Sequence, residues 1–185
     1  MKTRWLAFIV VVLIVSLASA QLDQLYFHRV VPMTAFSLSQ LRTSTYQYFQ
    51  SEDYSQSKDS TLTINTDSTS FQYPQQFMLY NRSALKHPIG LLTYQSTVDL
   101  KEEKLRYVAD SVYVQNYTRN RYSRYVADNE PPQPLSTWLQ QWRDKQQTRL
   151  EQQIQESLEG QLQQLVNSLQ QQKAEQTNAT NLEDW

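Results

Sequence analysis

The chain has 185 residues, a formal net charge of −1 and no cysteine, so disulfides and the lipid-bearing cysteine of an exported lipoprotein are excluded. A charge this close to zero supplies no mean field to draw nucleic acid or an acidic membrane to the surface. Glycine occurs only at Gly90 and Gly160. The phosphate cradles of P-loop and dinucleotide-binding enzymes need several glycines at close spacing, so those classes are excluded too.

Lys2 and Arg4 precede an apolar run from Trp5 to Val15, and the small residues Ala18-Ser19-Ala20 follow. Basic, apolar and small-residue zones in that order read as a secretory signal peptide over 1–20, cut after Ala20. The apolar run is shorter than the roughly 20 residues that span a bilayer. The expected mature chain begins at Gln21, holds no transmembrane span, and resides in the periplasm or outside the cell.

Branched and aromatic residues from Gln24 to Val31, interrupted by Pro32, predict a first strand. A helix over 37–51 follows. Ser37 and Gln40 have capping-box spacing, Phe36 and Leu41 can staple around it, and Leu38, Leu41, Thr45, Tyr48 and Phe49 recur on one face. After the polar stretch Ser51 to Ser60, the period changes to two from Thr61 to Val126. Strands are expected at Leu62–Ile64, Phe71–Tyr73, Phe77–Tyr80, Leu91–Leu100 and Leu105–Tyr117, with a loop at His87–Gly90 and a charged turn at Lys101–Lys104. Links this short make antiparallel neighbours.

Asn129-Glu130-Pro131-Pro132-Gln133-Pro134 reads as a stiff linker. A long helix then spans about 135–174, with Trp138, Trp142, Leu150, Ile154, Leu158, Leu162 and Val166 on rows of four and Leu139, Leu165 and Leu169 beside them. At 1.5 Å per residue it would be about 60 Å long, so part of it is expected to project, bend or pair. Gly160 is its expected weak point. Residues 175–185 read as a disordered polar tail.

Several stretches resemble a bacterial family of exported proteins whose domain has no assigned function and a TATA-binding-protein-like (TBP-like) fold. The residues are Leu25 to Val31 with Pro32-Met33, the helix bearing Leu41 and Tyr48-Phe49, and Leu92-Thr93-Tyr94 to Lys101 followed by Lys104-Leu105-Arg106-Tyr107. Glu102-Glu103 departs from the Asp-Gly frequent in that turn. The resemblance implies an α+β fold of strand, helix, four antiparallel strands and helix, with the helices on one face of a curved sheet. It implies an envelope address and supplies no catalytic residues. The expected organisation is a domain over 21–145, a helical extension over 146–174 and the tail.

No catalytic, metal or cofactor motif is present. His28 and His87 are the only histidines, and nothing in their spacing proposes a metal site. Serine is abundant, but no nucleophile elbow is found. In the segment from Tyr117 to Tyr125, three arginines interleave with three tyrosines, and Arg119, Arg121, Tyr122, Arg124 and Tyr125 form a candidate ligand surface for an anionic glycan or a partner protein. The same pattern also suits an edge strand protected by charge. Ile154, Leu158, Leu162, Leu165 and Leu169 form a candidate partner-binding or oligomerising stripe, the other reading being a docked core segment. These readings point to an exported envelope module that binds an envelope protein or surface glycan, without nucleic acid or cofactor. The alternative is an envelope hydrolase whose site the sequence does not reveal.

Overall fold

The computed structural model describes residues 25–50, 62–81 and 86–183, with side-chain surroundings from residue 27 to residue 175. The leader expected at 1–20 and the polar stretch 51–60 lie outside the described residues. In chain order the elements are β1 (Leu25–Pro32), α1 (Leu38–Gln50), β2 (Thr63–Ile64), β3 (Ser70–Asn81), β4 (His87–Lys101), β5 (Lys104–Arg119), β6 (Tyr125–Ala127), β7 (Gln133–Pro134), α2 (Leu135–Leu139) and α3 (Asp144–Glu183). The main sheet runs β1-β5-β4-β3-β2, with the short β6 and β7 also paired to β5. Every pairing is antiparallel.

Helix α1 starts where the capping box places it. The Gln40 side chain accepts from the Ser37 backbone N–H at 3.0 Å, and the Gln40 N–H donates to Ser37 Oγ at 3.3 Å. Both orphan donors at the helix start are thereby satisfied. Phe36 and Leu41 are buried on either side of the cap. From α1, Leu41, Ser44, Thr45 and Phe49 enter the core, where Phe49 packs against Tyr73 and Phe71 at ring-centroid distances of 4.5 and 5.7 Å.

The period-two pattern does its work in β4, where Gly90, Leu92, Tyr94, Ser96, Val98 and Leu100 are buried while the residues between them are partly open. Strand alternation sends these two sets to opposite faces. The buried set meets Phe71, Tyr73 and Leu79 from β3 and Leu105, Tyr107, Ala109 and Val114 from β5 in one cluster. Register shifts interrupt the ladders at Leu79/Tyr80 and Thr93/Gln95. Opposite the second shift, Ser111 on β5 has φ 52°. A residue in the left-handed region at an irregular ladder is the signature of a bulge.

Three sequence expectations change in the structure. Phe71–Tyr73 and Phe77–Tyr80 belong to one continuous strand, β3, which carries Pro74. Beyond Phe71 and Gln72, β3 has no second strand neighbour among the described residues, so at Pro74 the missing N–H faces an open edge and costs no ladder bond. His87–Gly90 starts β4 instead of forming a loop. Gln133–Pro134, the end of the expected linker, pairs with Tyr113 and Val114 of β5.

The C-terminal helix also departs from expectation. It breaks after Leu139, where the Trp142 N–H bonds to the Leu139 carbonyl at 3.0 Å and the chain turns before Asp144. Trp138 is fully buried, packs at a tilt against Trp142 with ring centroids 5.3 Å apart and donates its indole N–H to Asn116 Oδ1 at 2.5 Å. This anchor sets the bend. Beyond it, Leu150, Ile154, Leu158, Leu162, Leu165, Val166 and Leu169 are buried in the same cluster as the sheet. Residues 146–174 are thus a layer of the domain and no appendage.

The helix can dock because the strands are long. β4 and β5 have 15 and 16 residues, or roughly 50 Å at about 3.3 Å per residue, so the sheet is nearly as long as the helix. The rows of four from Leu150 to Leu162 drift about 40° per step, and the step of three from Leu162 to Leu165 returns the stripe toward the sheet. The helix continues unbroken through Gly160 and past residue 175 to Glu183, where a disordered tail was expected from 175 onward.

The two glycines have opposite surroundings. A Cβ at Gly160 would meet nothing within 4 Å, whereas one at Gly90 would lie 2.7 Å from Val114 Cγ1 and 3.5 Å from the Trp138 ring. Gly160→Ala is expected to stabilise the protein by about 1 kcal/mol. Gly90→Ala is expected to destabilise it by about 1–3 kcal/mol through overpacking. Urea unfolding of both variants checks the opposite signs.

Candidate functional site

Strand β5 runs past the end of the helix-covered sheet and returns as β6, pairing Tyr117, Thr118 and Arg119 with Ala127, Val126 and Tyr125. The turn between them is built on Asn120. Its side-chain oxygen accepts from the N–H groups of Tyr122 at 2.9 Å and Arg124 at 3.0 Å. Its backbone N–H donates to the Arg124 carbonyl, and Ser123 N–H donates to the Asn120 carbonyl, both at 2.9 Å. Ser123 has φ 60°, a left-handed position that glycine usually fills in such hairpins and that costs a side chain about 1 kcal/mol. The turn at Asn65 to Ser70 uses the same device, with Ser68 at φ 52° and Asn65 Oδ1 accepting from Thr69 and Ser70 N–H.

The candidate residues are therefore brought together on one hydrogen-bonded hairpin. Arg119 and Tyr125 face each other across the ladder, while Arg121, Tyr122 and Arg124 occupy the turn. Arg121 lies 4.7 Å from the Tyr122 ring centroid, and Tyr122 is 67% exposed. His87 stacks on Tyr125 at 5.2 Å with the rings 12° apart, fixing the hairpin to the start of β4. Sequence spacing held no sign of that contact across 38 positions. Gln115 was missed as well. Its amide donates to Asp128 Oδ1 at 2.7 Å and to the Glu130 carbonyl at 2.9 Å, holding the chain after β6 against β5.

The second candidate resolves differently. Ile154 and Leu169 are 0% exposed, Leu158 and Leu165 1%, and Leu162 5%. The stripe is core, because the sheet is long enough to cover it, and these side chains offer no free partner surface. On the same helix, Glu159 pairs with Arg29 of β1 at 2.8 Å and Gln161 accepts a hydrogen bond from the Tyr94 hydroxyl.

With the helices on one face, no described helix covers the other face of the sheet, although Val108 near its middle is itself only 6% exposed. Cross-strand partners define its rows. His28, Val108, Thr97 and Gln72 form one; Val30, Arg106, Asp99 and Ser70 the next; Tyr113, Thr93 and Gln76 lie toward the hairpin. The surface mixes amides, hydroxyls and apolar groups, with Val30 53% and Tyr113 44% exposed. Its Arg106 and Asp99 form an ion pair.

Cavities are shallow by comparison. One of ≈ 340 Å³ sits beside the Ser111 bulge against α2 and α3, and another of ≈ 570 Å³ is an open groove between Pro32–Phe36 and the Gln170–Ala174 stretch of α3. The described residues contain no group of three or more histidine, aspartate or glutamate side chains able to hold a metal. No described helix is long and apolar enough to cross a membrane. The resolved acid–base perturbations lie in the core. Burial raises the Tyr48 and Tyr107 hydroxyls above the ordinary phenol value, Tyr107 adding to the rise at Tyr48, while hydrogen bonds from Ser96, Tyr94 and Tyr73 oppose the rise at Tyr107.

Two solved structures share this fold. A DUF4468 family protein from Bacteroides ovatus ATCC 8483 is 10% identical with a TM-score of 0.54, over 77% of this chain and 84% of that chain. A TBP-like protein from Parabacteroides distasonis ATCC 8503 is 12% identical with a TM-score of 0.54, over 78% of this chain and 91% of that chain. The α+β TBP-like architecture read from the sequence is thus the fold of the chain. No protein-family model and no curated protein matches it.

The buried phenols predict an alkaline limit. A raised native pKa means that above about pH 10 the unfolded chain releases a proton that the native state keeps, so stability falls as pH rises from there. Tyr107→Phe should flatten this fall in a pH series of urea melts. It should also cost about 1–3 kcal/mol at neutral pH, since Ser96 Oγ, 2.9 Å from the Tyr107 hydroxyl, loses its partner.

Proposed function

We propose that the protein is an exported, non-enzymatic interaction module of the bacterial cell envelope, and that the uncovered sheet face docks another envelope protein. The observation that carries this reading is the one-sided core. All the described helices pack on one face, and among the described residues no other element lies on the opposite face of β1, β5, β4 and β3. Four strands about 4.8 Å apart and about ten residues deep give roughly 600 Å², approaching the ~800 Å² that each partner contributes to a standard interface. The mixture of Thr93, Gln95, Thr97, Val30 and Tyr113, with its one internal ion pair, resembles the balanced polarity of a non-obligate interface. Export is supported by the leader pattern from Lys2 to Ala20, and the absence of cysteine argues for a protein without a lipid tether.

Thr93→Arg together with Thr97→Arg is expected to abolish recovery of the envelope partner while leaving the melting temperature within about 2 °C, since both side chains lie on the open face. Retention of the same partner by that variant would dismiss the sheet face. The address is tested separately. Mass spectrometry of native protein from the envelope fraction is expected to find Gln21 as the first residue, and an intact Met1 in the cytosolic fraction would overturn export.

A further inference from the structure

The arginine–tyrosine hairpin has a chemistry that protein docking on the sheet face does not use. Charge protection of an edge strand requires charges on the ladder, yet Arg121 and Arg124 lie in the turn, beyond the last paired residues Arg119 and Tyr125. From Tyr117 to Ala127 the chain contains no acidic residue. The ion pairs between described residues are Arg29–Glu159 and Arg106–Asp99, so none of the three hairpin arginines has a carboxylate partner among them. Asp128, the next acid along the chain, is engaged by Gln115 and the Glu130 N–H. Lys86 is exposed immediately before His87, which stacks on Tyr125, so it adds its charge to the same end of the sheet.

The backbone of the turn is already spoken for. The N–H groups of Asn120, Tyr122, Ser123 and Arg124 all donate within the turn, leaving little main-chain capacity to capture a peptide by strand addition. Recognition must run through side chains. Guanidinium groups grip carboxylate or sulfate oxygens in a planar, two-pronged fashion. The Tyr122 ring, more exposed than any other large apolar side chain described here, offers a flat surface beside them.

We propose that this hairpin binds an acidic saccharide, carboxylated or sulfated, whose anionic groups are held by Arg119, Arg121 and Arg124 and one of whose sugar rings stacks on Tyr122. The choice of saccharide over single-stranded nucleic acid rests on the export reading, because the same side chains could grip a phosphate backbone and stack bases. The anion-binding site itself does not depend on that reading or on the sheet face.

The test is titration of the purified full chain with a heparin oligosaccharide, an oligogalacturonate, neutral dextran and single-stranded DNA. Binding to at least one acidic saccharide is expected, weakening steeply between about 50 and 500 mM salt, with no response to dextran. Arg119→Gln/Arg121→Gln/Arg124→Gln should lose affinity at least about tenfold. Tyr122→Ala should lose affinity severalfold while keeping the salt dependence. Melting temperature reports folding of each variant, and Arg121→Gln at the turn serves alone if the triple variant is unstable. Absence of binding to both acidic saccharides, or equal binding by the arginine variants, would overturn the site. Tighter binding of DNA than of either saccharide would overturn the ligand class while leaving sheet-face docking untouched.

Discussion

Burial of alternate β4 residues beneath α1 and α3 is the constraint from which the rest of the structure follows. Leu92, Val98 and Leu100 of β4 meet Leu41 and Phe49 of α1 and the Leu150–Leu169 stripe of α3 in one cluster. Each large apolar side chain buried there contributes on the order of 1.5–3 kcal/mol. With no disulfide to constrain the unfolded chain, that packing carries the stability. It also spends the whole apolar face of α3 on the sheet. Since residues between the buried positions of a strand must point the other way, a helix layer on one side leaves an open β face on the other unless a further element covers it.

The core is unusually hydroxyl-rich for one that depends on packing. Ser96 is buried and bonds to Tyr107, Tyr94 reaches across to Gln161 of α3, and Tyr73 packs against Phe49. The Ser96–Tyr107 pair joins β4 to β5, while the Tyr94–Gln161 pair ties the sheet to α3 at one specified position, because a buried polar group without a partner costs more than a paired one contributes. That bond constrains the register of α3 in a way that leucines alone, which tolerate sliding, would not. The buried Thr45 hydroxyl, by contrast, has no hydrogen-bond partner among the described residues.

Much of this architecture was legible because local rules agreed with the tertiary outcome. Ser37 and Gln40 specify a helix start regardless of what the helix packs against, and the alternation from Leu91 to Leu100 marks a half-buried strand. The 101–104 turn announced itself through charged residues between two apolar runs. What could not be read depended on partners distant in sequence. Pro74 looks like a strand breaker until β3 is known to have an open edge, and His87 looks like a loop residue until Tyr125 is placed against it. The fate of the Ile154–Leu169 stripe turned on the length of β4 and β5, which local periodicity underestimated by four residues at the start of β4 and by one or two at the other strand ends.

Of the two candidate surfaces read from the sequence, the helix stripe is buried and only the hairpin stays exposed. A stripe of leucines at helical spacing is satisfied by any apolar surface of matching length, and here the sheet supplies one, so the periodicity carried no information about partners. The hairpin is different. Its turn is held by the Asn120 side chain and by Ser123 in a left-handed conformation that disfavours a side chain. Nothing in the core requires Arg121, Tyr122 or Arg124, since all three are exposed. Side chains that contribute no burial, set on a backbone locked by its own hydrogen bonds, gain little for the fold. A turn already fixed by its own hydrogen bonds has less entropy to lose if a ligand is met, which is the property that the proposed anion site calls on.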